Sequence, residues 1–247
     1  MPYIDGFVAA VPAANKEAYR QSALDAAPLY KEFGATRLIE NWGDEVPEGK
    51  VTDLRRAVKA EPGEVIVFSW IEYPSKAVRD VANEKAMNDP RMQSMGAQMP
   101  FDGKRMIYGG FVPSLHGRGQ ESTGYIDGSL VPVPTGNKDA YHALASTLAE
   151  VLLEHGALRV VDAWGDDVPD GKITDFKGAV KAAGDEQVVF AWIEWPSKAA
   201  RDAGWQKAMS DPRMHPAKVP YDEGRRAFGG FVPLVDEKAD SVTSASS

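Results

Sequence analysis

The stretch "YIDG" at Tyr3 recurs at Tyr125, "WGDEVPEGK" at Trp42 returns as "WGDDVPDGK" at Trp164, and "DPRM" at Asp89 recurs at Asp211. The members of each pair lie 122 residues apart; after a two-residue deletion, the two "GGFVP" strings at Gly109 and Gly229 are separated by 120. Roughly half of the aligned positions are identical, so the 247-residue chain is a whole domain written twice rather than a short solenoid repeat. Whatever one copy forms, the other supplies a near-copy of it. The copies span residues 1–114 and 124–234. The polar, glycine-containing segment 115–123 reads as a linker, and residues 235–247 carry too little apolar content to pack and are expected to be disordered.

Within each copy the pattern predicts strand, helix, strand, strand, helix, strand. "YIDGFVAAV" has strand composition. A helix is bracketed by Asn15 and Gly34, with Tyr19, Ala23, Ala26, Tyr30 and Phe33 at helical spacing; Asn137 and Gly156 bracket Tyr141, Ala145, Leu148 and Leu152 in the second copy. "TRLIENW" and "KVTDLRRAVKA" are expected to form a hairpin around "VPEG". "EVIVFSWIEY" is a further strand, stopped by Pro74, with Ser75 placed to cap the second helix. "KRMIYGGFV" closes the copy, and its Gly109-Gly110 pair suggests a bulge or a close backbone approach. The βαββαβ order is the ferredoxin-like arrangement, an α+β unit whose sheet is covered by helices on one face only. Two copies supply the missing cover, so the fold expected is a dimeric α+β barrel made intramolecularly from two ferredoxin-like repeats.

Composition narrows the function. The formal net charge of −8 argues against a general nucleic-acid surface, which needs a basic stripe. There is no cysteine, which removes disulfides, thiolate metal sites and cysteine nucleophiles. None of the four histidines, His116, His142, His155 and His215, has a histidine at its equivalent position, so a symmetric metal or haem site has no support and no cofactor is expected. No P-loop, Rossmann glycine fingerprint or nucleophile elbow is present. The N-terminus lacks a signal-peptide pattern and no apolar stretch is long enough for a bilayer, so a cytoplasmic protein with no membrane partner is expected.

The strings "DGFVAAVP", "WGDEVPEGKVTD", "VFSWIEYPSKAVRD", "KAMNDPRM" and "MPFDGKRMIYGGF" resemble the YbaA-like family, domain of unknown function 1428. The first copy resembles it along nearly its whole length; the second departs at "VPYDEGRRAFGGF", where Glu223 and Gly224 replace Gly-Lys. The resemblance implies the dimeric barrel fold and brings no accepted reaction. Relatives on that fold include cofactor-independent monooxygenases, haem-degrading enzymes and muconolactone-isomerase-like proteins, which is analogy at the level of fold.

Strand alternation nominates a set of polar residues. Tyr3, Asp5 and Phe7 share a face, as do Tyr125, Asp127 and Ser129. Asp53, Arg55 and Lys59 fall together in the expected hairpin strand, matched by Asp175, Lys177 and Lys181. Phe68, Trp70 and Glu72 share a face, as do Phe190, Trp192 and Glu194, while Arg105 and Arg225 open the last strands. One reading is a network of ion pairs, Asp53 with Arg55 or Lys59 and Asp5 with Arg105. The other is a polar cavity between the two sheets, with Glu72, Glu194, Asp53 and Asp175 as acid/base groups. Trp70, Trp192, Arg55, Lys177, Arg105, Arg225, Asp5 and Asp127 would then hold an unidentified small molecule. The acidic hairpin at Asp44, Glu45 and Glu48 reads as a solvated turn. The function expected is then that of a small-molecule protein, a cofactor-independent enzyme of the monooxygenase or isomerase kind. A non-catalytic ligand-binding or stress-associated protein, or a module that associates through exposed sheet edges into a homo-oligomer of the tandem chain, are the rival classes.

Overall fold

The computed structural model describes residues 1–117 and 122–239. The first copy forms β1 (Tyr3–Pro12), α1 (Lys16–Phe33), β2 (Arg37–Glu45), α2 (Leu54–Ala57), β3 (Glu64–Tyr73), α3 (Lys76–Asn88), α4 (Pro90–Gly96) and β4 (Ile107–Gly117). The second forms β5 (Tyr125–Pro134), α5 (Lys138–Glu154), β6 (Arg159–Asp167), α6 (Phe176–Ala179), β7 (Glu186–Trp195), α7 (Lys198–Ala208) and β8 (Ala227–Lys238). The βαββαβ order holds in both. Gly34 stops α1 at φ +113°, a left-handed conformation that glycine adopts without a Cβ penalty. Ser75 caps α3 by accepting from the Val78 N–H, and Ser197 caps α7 in the same way. Asn15 and Asn137 do not cap with their side chains: they donate to the carbonyls of Pro100 and Pro220, tying each first helix to the loop before the last strand.

"KVTDLRRAVKA" is not a strand. Asp53 accepts from the N–H groups of Gly49 and Arg56, which nucleates the single turn α2, and Leu54, Ala57 and Val58 become buried. The hairpin partner of β2 is therefore β3, and the four strands of each copy lie in the order β4-β1-β3-β2 and its equivalent. The edges then join. β2 pairs with β8 and β4 with β6, closing an eight-stranded antiparallel barrel with order β1-β3-β2-β8-β5-β7-β6-β4. Closure takes up the edges through which strand-to-strand association was considered. These ladders also move the boundaries: β4 runs on to Gly117, into the expected linker, and β8 runs to Lys238, into the expected tail. The rest of that tail, 240–247, lies outside the described residues.

The barrel is filled. Phe68 stacks on Phe190 with centroids 4.3 Å apart, and Trp70 on Trp192 at 4.2 Å, on the pseudo-twofold axis. Gly6 and Gly128 make this possible, because a Cβ there would stand 3.0 and 2.9 Å from the rings of Phe190 and Phe68. At the Ile66 end, α2 and α6 plug the barrel with Leu54, Val58, Phe176 and Val180, joined by Thr52 donating to Ala179 O at 2.6 Å. The "GG" pairs sit where register shifts interrupt the β4–β6 and β2–β8 ladders, as the sequence suggested.

Candidate functional site

At the other end of the barrel, Glu72 and Glu194 face each other with Arg37 and Arg159. Arg37 grips Glu194 of the opposite copy in a bidentate pair at 3.0 Å, and Arg159 grips Glu72 at 2.6 and 3.0 Å. The copies thus exchange arginines: Arg37 lies directly opposite its own copy's Glu72 in the strand ladder yet bonds bidentately across the axis. Trp70 and Trp192 donate to Glu72 and Glu194 at 3.1 and 3.0 Å, and Thr123 adds a bond to Glu194 at 2.7 Å. Burial pushes the Glu194 carboxyl up, but the two guanidiniums outweigh it and hold its pKa below the ordinary value. Arg37 also holds Asp236 at 2.8 and 2.9 Å, and the expected cavity between the sheets is thus occupied by stacked aromatics and a paired five-charge cluster. This arrangement joins the halves.

The other nominated residues scatter, except that Asp53 and Arg55 share a surface depression of about 520 Å³ with Arg56 and Lys59. Asp5 and Asp127 lie on the outer, helix-facing side of the sheet, where Asp5 pairs with Arg79 at 2.7 Å and Asp127 with Arg201 at 2.9 Å, not with Arg105. Asp127 also accepts from the indoles of Trp195 and Trp205. Asp53 and Asp175 are caps of α2 and α6, and Asp53 meets Arg56 rather than Arg55 or Lys59. Arg55 bonds the carbonyls of Glu61 and Glu64, and Lys177 pairs with Asp170 at the surface. Arg105 holds Glu64 and the carbonyl of Lys59; Arg225 holds Glu186 and that of Lys181. Both lysines have φ near +50°, so the arginines pin two left-handed turns. The acidic hairpin is not merely solvated. Asp44 receives Tyr125 and Lys198 of the other copy, and Asp166 receives Tyr3 and Lys76.

Open space lies instead between each sheet and its own helices. In the second copy a cavity of about 670 Å³ is lined by β5, β6 and β7, the inner side of α5 and α7, and residues 209–226. At its floor Tyr141 donates to Asp162 Oδ1 at 2.7 Å. No protein donor reaches Asp162 Oδ2 among the described residues, and Asp162 lines the cavity. Burial pushes the Asp162 carboxyl above its ordinary range, with Tyr141, His116, His142 and Arg226 opposing. Leu144, Leu148, Ile193, Trp205 and Tyr221 give apolar walls. The first copy repeats the pair as Tyr19 donating to Glu40 at 2.5 Å, with Ser69 as a second donor, beside a cavity of about 200 Å³.

Strand alternation could have found these carboxylates. Leu38, Glu40 and Trp42 share the helix-facing side of β2, so an acid sits between two large apolar residues. The equivalent Asp162 follows Val160 in β6, and helix spacing placed Tyr19 and Tyr141 toward it. In the sequence the tyrosines stand out only as apolar helix positions. Of the nominated residues Asp127 does line the second-copy cavity, whereas Trp70, Glu72 and Glu194 belong to the packed barrel interior.

Sheet order, closure and the outer cavities define an α+β barrel of the dimeric kind with both halves in one chain. Solved structures share it. A candidate monooxygenase from Fusobacterium nucleatum superposes with a TM-score of 0.62 at 10% identity, covering 96% of this chain and 94% of that one. A second candidate monooxygenase, from Lactobacillus acidophilus, gives 0.61 at 7% identity over 96% of each chain. An anthrone oxidase-like protein gives 0.55 at 12% identity over 100% and 96%. At such identities the likeness is one of fold.

The chain belongs to the family described as "Protein of unknown function (DUF1428)", whose model matches residues 2–103 and again 124–223. Uncharacterized protein YbaA of Escherichia coli K12 is 68% identical over 111 residues, which is 45% of this chain and 95% of that protein; YbaA of Shigella flexneri matches equally. These relatives are therefore about one repeat long. Among the described residues, no helix is long and apolar enough to cross a membrane.

Proposed function

We propose that the protein is a small-molecule enzyme that works in the sheet–helix cavity of its second copy, with Asp162 as general base and Tyr141 as its positioning partner. The observation that carries this is a carboxylate with one oxygen held by a tyrosine and the other free, at the floor of an apolar cavity large enough for a drug-sized molecule. Desolvation raises the basicity of the carboxylate toward the range that suits proton abstraction near neutral pH. A substrate CH₂ flanked by carbonyl or aromatic groups gives up a proton to Asp162, leaving a resonance-stabilised carbanion. Delivery of its electron pair to dioxygen completes an oxygenase reaction, R₂CH₂ + O₂ → R₂C=O + H₂O, in which the substrate itself is the reductant. Return of the proton to another carbon makes an isomerase. The monooxygenase assignments of the fold neighbours favour the first course.

The test is a thermal-shift screen of hydroxyaromatic and ketonic compounds, followed by oxygen-electrode assays on the hits. A hit consumed with one O₂ per molecule, and lost in Asp162→Asn, supports the reading. Binding without turnover, or turnover unchanged in Asp162→Asn, overturns it.

A further inference from the structure

The first-copy cavity differs from the second in charge as well as size. Tyr19 and Ser69 both donate to Glu40 Oε2. No protein donor reaches Oε1 among the described residues, and Glu40 lines the cavity. Glu40 is partly buried, and no cation offsets the desolvation that pushes its pKa up. Its surroundings are aromatic rings and thioethers: Tyr19, Tyr30 and Phe101 with Met92, Met99 and Met106. Ring faces attract cations, and thioethers are soft and adaptable. The second copy adds cations instead. Arg226 stands at the position of Met106, lines the larger cavity, bonds Glu223 at 3.1 Å and supports the ionised form of Asp162, while Arg201 pairs with Asp127.

We propose that the first-copy cavity is a separate site for a compact organic cation, an alkylammonium or small quaternary ammonium ion, with Glu40 as its counter-ion. The second cavity, where Arg226 and Arg201 already pair with Glu223 and Asp127, disfavours such cations. The aromatic walls supply the cation–π face, the free carboxylate oxygen takes the charge, and the small volume limits the ligand to a few non-hydrogen atoms. This site does not depend on catalysis in the second copy.

The experiment is isothermal titration of the full chain with tetramethylammonium, n-butylammonium and a neutral alcohol of matching shape. Saturable binding of one cation per chain is expected, at least about tenfold tighter than the alcohol and at least about tenfold weaker in Glu40→Gln and Met106→Arg. Asp162→Asn should keep it. Should Glu40→Gln fail to fold, Met106→Arg, checked by circular dichroism, carries the test alone. No saturable binding of either cation, equal binding of the alcohol, or undiminished affinity in a folded variant overturns the proposal.

Discussion

The two sheet–helix cavities descend from one sequence and keep the same tyrosine–carboxylate floor, yet their walls have diverged. Phe7 in the first is Ser129 in the second, Tyr30 is Leu152, and Met106 is Arg226. The cover differs most. α4 and the methionines in and after it line the first cavity, whereas the second copy is two residues shorter there and has only a 3₁₀ turn at Pro212–Met214. The floor is held by sheet and helix geometry that the barrel requires; the walls sit on a loop and on outer positions where a change of size is tolerated. Duplication thus provides a second cavity whose chemistry can change while the first keeps its own.

The comparison rests on a shared frame, and breaking that frame should give the largest effect. Arg37→Met removes the bidentate partner of both Glu194 and Asp236 and should cost about 3–5 kcal/mol in urea unfolding, with part recovered in Arg37→Met/Glu194→Gln. Next, if the floor of the second cavity is the working one, Asp162→Asn should lower turnover of an identified substrate by about 10²-fold or more, and Tyr141→Phe by less. Exchanging walls sharpens the contrast further. Ser129→Phe with Arg226→Met should weaken a bulky ligand of the second cavity by roughly tenfold, read by titration, and a crystal structure should show the space filled.

The smallest effect is one of pH. Because the Glu194 pKa is depressed in the folded state, its contribution is fully present above the ordinary value of 4.5 and disappears as pH falls below it. Acid unfolding followed by fluorescence should therefore begin at higher pH in the wild type than in a hypothetical chain with a fixed charge. It should lose this component in Glu194→Gln.

Much of the frame was legible in the residues. The offset of 122, the βαββαβ order, Gly34, Ser75 and the inward face of Phe68, Trp70 and Glu72 are local or periodic signals, and the structure has each of them. "KVTDLRRAVKA" misled because Asp53 captures nearby N–H groups, and local capping prevailed over strand composition. The candidate site was missed for a different reason. Alternation says which residues share a face but not which face meets helices and which meets the other copy, so Glu72 was favoured over Glu40.

The sequence by itself determined that the chain is one domain twice over, that each copy alternates strands and helices in ferredoxin-like order, and that carboxylates and arginines lie on its strands. Those properties depend on nearest neighbours and on periods of two and 3.6 residues. Only the tertiary structure decided that Arg37 and Arg159 cross to the opposite copy, that the interior is closed by stacked rings, and that open space lies beneath the helices. Those outcomes depend on how two sheets close edge to edge, and on whether residues distant in sequence fill the volume between them.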